Sequence, residues 1–74
     1  MNHANIQTSE RLQRVDKFLS DGLFHSTRDI VIGAQVMAVS AVVSELRENG
    51  RNIICRQKGR IFYYRMVQEQ ERAA

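Results

Sequence analysis

Between positions 51 and 65 the chain carries Arg51, Arg56, Lys58, Arg60 and Arg65, and no acidic residue. Three of these, Arg56, Lys58 and Arg60, crowd around Gly59. Cations concentrated in this way create a local positive field that attracts a polyanion. Lysines and arginines on a strand have a duller use as well, since they discourage edge-to-edge pairing between molecules. The absence of any neighbouring acid tips the balance towards a polyanion.

Other chemistry-bearing residue types are sparse. Cys55 is the only cysteine, so the chain can form no internal disulfide and no cysteine cluster for zinc. In a strand it is expected to be a small core residue. His3 and His25 stand far apart, with no carboxylate or cysteine at ligand spacing. His25 is followed by Ser26, but adjacent residues rarely present both groups to one substrate, so a structural role at a helix entry is expected. The sequence shows no Gly-rich phosphate loop, metal motif or catalytic triad. No catalytic residue, metal or cofactor is therefore assigned, and the chain is expected not to be an enzyme.

Composition bounds the rest. The 74 residues make one domain, with 43% hydrophobic residues to fill a single core. A chain this short buries only about 60% of the surface it exposes when unfolded, which leaves a thin stability margin. Eleven Lys+Arg against eight Asp+Glu give a net charge of +3. No apolar run approaches the ~20 residues of a membrane span. The polar N-terminal stretch lacks the apolar core of a signal peptide, and a cytoplasmic location without membrane association is expected.

The elements that must position these residues follow from periodicity. Residues 1–8 and 68–74 are polar and are expected to be tails around a domain at 9–67. A first helix is predicted from Ser9 to Ser20, with Leu12, Val15, Phe18 and Leu19 on one face and Gly22 as its left-handed stop. Leu23-Phe24-His25 suits a small strand or extended connector. Ser26-x-x-Asp29 has the form of a capping box, so a short second helix should start at Thr27, bury Ile30 and Val31, and end in a turn across Gly33-Ala34-Gln35. A third helix is predicted from Val36 to Glu48, burying Val39, Val42, Val43 and Leu46. Its opposite side carries Met37, Ala41, Ser44 and Glu48, flanked by Ala38, Ser40, Glu45 and Arg47. The period then changes: residues 52–56 and 60–66 are rich in β-branched and aromatic types and read as a hairpin around Gln57-Lys58-Gly59. Phe62, Tyr64 and Met66 should point inward opposite Ile53, leaving Tyr63 and Arg65 for solvent or a partner.

This order of elements, in "HSTRDIVIGAQVMAVSAVVSELRENG" followed by "NIICRQKGRIFYYRM", resembles the winged helix-turn-helix domains of bacterial and phage transcription regulators. The resemblance spans Ser9 to Met66 and is most like the small phage- or prophage-encoded members. It implies an α+β fold of three helices with a small antiparallel hairpin wing, and double-stranded DNA as partner. It places the third helix in the major groove, with Gln35, Met37, Ala38, Ser40, Ala41 and Ser44 lining the groove and Arg47 at its flank. Arg56, Lys58 and Arg60 of the wing would contact the backbone or minor groove, and Ser26, Thr27 and Arg28 a phosphate at the start of the second helix. With about five phosphates neutralised, log K would fall against log salt with a slope near −4.5. A single module buries little interface, so action on DNA as a homodimer or together with a partner is expected, with Tyr63, Met37 or the terminal segments as the contact. The third helix departs from a strong base reader, being small and neutral outside and carrying Glu45 and Glu48. That departure favours a different class of partner, in which the same shape binds or inhibits a host or phage protein.

Overall fold

The computed structural model describes residues 5–67 of the chain. Residues 68–74 and 1–4, expected to be tail, lie outside the described residues. Among the described residues, three α-helices and a three-stranded antiparallel sheet make up an α+β fold.

Helix α1 (Glu10–Phe18) starts where Ser9 Oγ accepts from the Leu12 N–H, and it continues as a 3-10 turn over Leu19–Asp21. Gly22 stops it at φ 76°. Leu12, Val15 and Leu19 are fully buried and Phe18 packs at the margin. The segment before α1 is more firmly held than a tail would be. Residues 5–8 form a turn, the Ile6 N–H donates to Asn49 Oδ1 (3.1 Å), and the Ile6 side chain packs against the core. The Ile6 side chain and the hydrogen bonds with Asn49 and Gln13 together tether it.

A two-residue strand β1 (His25–Ser26) leads into α2 (Thr27–Ala34), where Ser26 Oγ accepts from the Asp29 N–H at 3.1 Å. The helix runs through Gly33 instead of ending there. A Cβ at Gly33 would lie inside the Phe18 ring, so the glycine serves close packing between α1 and α2. The left-handed stop falls on Gln35 instead, at φ 57°. Ile30 and Ala34 are the buried residues of α2, while Val31 is only partly covered.

Helix α3 (Val39–Glu48) begins three residues later than periodicity predicts. Val36 is buried, yet it belongs to the turn, because Gln35 redirects the chain and Ala38 takes the cap position. Val39, Val42, Val43 and Leu46 face the core as expected. Strands β2 (Ile53–Lys58) and β3 (Ile61–Met66) pair in the register Ile53↔Met66 to Lys58↔Ile61, and β1 adds to the other side of β3. The turn is the two residues Gly59-Arg60 in place of Gln57-Lys58-Gly59, because β2 runs two residues further than expected, and φ is positive only at its first position, Gly59. That matches the type II′ geometry of two-residue hairpins.

Two core expectations fail in the hairpin. Phe62 is 43% exposed and Cys55 is exposed, although both lie on the same sheet face as Ile53, Tyr64 and Met66. The alternation is right, but the helices cover only the half of that face nearest them. Arg65 is drawn inward, its Nε donating to the Gly22 carbonyl at 2.6 Å.

His25 takes the structural role expected of it. Its ring lies 4.6 Å from that of Phe18, and its Nε2 donates to the Asp21 carboxylate at 2.9 Å. Asp21 also accepts the Leu23 N–H at 2.9 Å. That backbone hydrogen bond, then His25, holds the Asp21 carboxyl below its ordinary 3.8. A depressed carboxyl pKa stabilises the fold above the unfolded value, and the contribution disappears as pH falls through the lower, folded value. Asp21→Asn is therefore expected to flatten the acid limb of stability between about pH 5 and pH 2, read from urea midpoints. An unchanged limb would show that the turn does not depend on the carboxylate.

Candidate nucleic-acid interface

The outward side of α3 is open. Ser40, Ala41 and Ser44 are exposed along it, and Met37, in the preceding turn, is 90% exposed. Gln35 and Ala38 are exposed in the same turn. Across the four residues from Gln35 to Ala38 the axis bends by 83° between α2 and α3. Two charged contacts from α1 hold this arrangement. Arg14 donates from Nε to the Ala34 carbonyl (2.9 Å) and from Nη2 to that of Gln35 (3.4 Å), satisfying carbonyls at the end of α2. Arg11 pairs with Glu45 at 2.7 Å, fastening α1 to α3. It also offsets one of the two acids of α3; the other, Glu48, lies at the end of the helix remote from Met37. Neither contact has a local sequence signal, because each partner lies 20 or more residues away.

At the start of α2, Arg28 is exposed. Ser26 Oγ is taken up in capping, and Thr27 Oγ1 donates to the Phe62 carbonyl at 3.3 Å. Thr27, Met37, Ala38, Ser40, Cys55 and Phe62 meet around an open groove of about 530 Å³ between α3 and the sheet. The start of α2, the start of α3 and the near face of the hairpin thus converge on one side of the molecule.

Arg47 does not join them. Its Nε and Nη2 donate to the Ile53 carbonyl at 3.1 and 2.7 Å, pinning the end of α3 to the start of β2. Nor does the whole cationic run remain available. Arg51 Nε pairs with Asp16 at 2.6 Å, and this contact, which keeps the Arg51 pKa raised, fixes it against α1. With Arg65 bound to Gly22, the run reduces to Arg56, Lys58 and Arg60, all exposed; among the described residues none of the three forms an ion pair. Their directions differ. Arg60 sits in the turn, whereas Arg56 and Lys58 share a depression with Phe24 and Tyr63 on the sheet face turned away from α3.

No protein-family model, curated protein or solved structure matches this chain. No single helix among the described residues is long and apolar enough to cross a membrane.

Proposed function

We propose that this protein binds double-stranded DNA as a winged helix-turn-helix domain, with α3 in the major groove and the hairpin tip on the adjacent backbone or minor groove. The observation that carries the reading is the unobstructed outer side of α3, set at 83° to α2 beside a hairpin with a cationic tip. A helix of this size fits the major groove, where base edges display distinct donor and acceptor patterns. Met37, Ser40, Ala41 and Ser44 line that side, small enough for close approach, and Ala41 can meet a thymine methyl. Arg28, Lys58 and Arg60 supply phosphate contacts. Three such contacts give an expected salt slope of about −2.7, shallower than the value implied by the uninterrupted cationic run, because Arg51 and Arg65 are bound within the protein and Arg56 lies on the sheet face turned away from α3.

Replacing Lys58 and Arg60 together with alanine should weaken binding to all duplex sequences alike and flatten the slope by about 2, with the circular dichroism spectrum unchanged. Anisotropy titrations across a salt series measure both quantities, and parental affinity in the folded double variant would remove the hairpin from the interface. Selection of bound sites from a random duplex library tests the reading as a whole. An enriched motif supports a transcription regulator of bacterial or phage type, and a palindromic one a homodimer. The second reading, a module that binds a host or phage protein, is favoured by the apolar rim of Met37 and Phe62 along a neutral helix. Undetectable duplex binding at low salt would favour it.

A further inference from the structure

Apart from Lys58, the sheet face turned away from α3 has a chemistry that duplex binding through α3 does not use. Along β2 and β3 successive side chains alternate between faces, so Arg56, Lys58, Ile61 and Tyr63 lie together. Arg56↔Tyr63 and Lys58↔Ile61 are direct cross-strand neighbours. The connector ahead of β1 lays Phe24 alongside, with the Arg56 guanidinium 5.9 Å from the centre of its ring, a cation–π distance. Phe24, Arg56, Gln57, Lys58 and Tyr63 line an open depression of about 510 Å³. Phe24 is 43% exposed. None of the residues lining the depression is acidic.

We infer that this outer face binds single-stranded nucleic acid, with bases stacked on Tyr63 and on the Phe24–Arg56 pair and phosphates on Arg56 and Lys58. Aromatic rings interleaved with cations on an open sheet give every base a flat partner and the backbone a positive track. A duplex hides its base faces and offers these rings nothing. An acidic peptide would satisfy the cations and leave the rings unmatched. The inference shares only Lys58 with the proposed duplex interface and stands on Phe24, Arg56 and Tyr63, which that interface does not use.

The chain has no tryptophan and two tyrosines, of which Tyr64 is buried, so quenching of tyrosine emission reports on Tyr63. The protein is titrated with twelve-nucleotide oligothymidylate and oligouridylate, a hairpin duplex and polyglutamate, all at low salt. The single strands are expected to quench, with a salt slope of about −1.4 for two phosphates; the DNA and RNA arms show which sugar is preferred. Followed by the anisotropy of a labelled oligonucleotide, because the variant lacks the reporting tyrosine, Tyr63→Thr keeps a strand-forming residue and should weaken oligonucleotide affinity by about 5- to 150-fold, the usual range for loss of one stacked base. Lys58→Glu, at an exposed strand end, should weaken it at least about tenfold, counted by two charge units. Phe62→Ser removes an aromatic from the opposite face and should leave affinity within about twofold. The inference is overturned by parental affinity in folded Tyr63→Thr and Lys58→Glu, by equal loss in Phe62→Ser, or by duplex or polyglutamate quenching as strongly as the single strands.

Discussion

A Ser40→Glu chain is expected to fold like the parent and to lose duplex binding by at least about 100-fold. Ser40 is the second residue of α3, exposed, and lines the groove with Met37 and Thr27. In a helix that enters the major groove, the residues near its N-terminus lie closest to the base edges. A carboxylate there meets acceptor-rich edges between two phosphate backbones, and like-charge juxtaposition at an interface costs several kcal/mol. The fold should not suffer, because a negative charge in the first turn is favourable to the helix dipole by about 0.3–1 kcal/mol. Ala38 supplies no side-chain cap, so the added carboxylate also displaces no existing cap contact. The expected signature is thus a thermal midpoint equal to or above the parent's together with lost anisotropy change on duplex at low salt. Parental affinity in this variant would mean that α3 is not inserted.

Leu46→Ala should bring the protein close to its unfolding threshold. Leu46 is fully buried at the end of α3, where that helix packs against both α1 and β2. Its carbonyl accepts the Arg51 N–H at 3.0 Å, linking the helix to the strand that follows. Truncating a buried leucine costs about 2–5 kcal/mol through lost transfer energy and the cavity left behind. A chain of this length has a total stability of only about 4–11 kcal/mol. Little room exists for collapse around the cavity, since Val42, Val43 and Ile53 are themselves short, stiff and buried. Urea unfolding followed by circular dichroism should show a midpoint lowered by a large fraction of the parent's, and DNA affinity should fall only in proportion to the folded fraction. A midpoint within error of the parent's would show that the core does not depend on this contact.

These two substitutions also mark where sequence reasoning was strong and where it failed. The stripe of Val39, Val42, Val43 and Leu46, the Ser26 cap and the glycine stop at Gly22 were legible because each is a local pattern tied to a fixed helical geometry. The start of α3 was misplaced because an apolar Val36 at helical spacing looks the same whether it is buried from a helix or from a turn. Gly33 was misread for a related reason. A glycine ends helices by default, and only the Phe18 ring lying over it, from a helix fifteen residues earlier, shows that it was needed within one.

The candidate site was legible in its cations and opaque in their use. Five basic residues in a row of fifteen predict a uniform positive surface, yet their fates were decided by distant partners: Asp16 for Arg51 and the Gly22 carbonyl for Arg65. Arg47 was claimed by a nearer group, the Ile53 carbonyl six residues on. Alternation along the strands then set Arg56 and Lys58 on the far face, beside Phe24. What the sequence determined alone was which elements form and which of their faces are apolar, because backbone geometry and side-chain period are local. Tertiary structure decided which charges remain free, which half of the sheet stays uncovered and which side of the hairpin meets α3, because these depend on the approach of groups from different elements, several of them 20 or more residues apart.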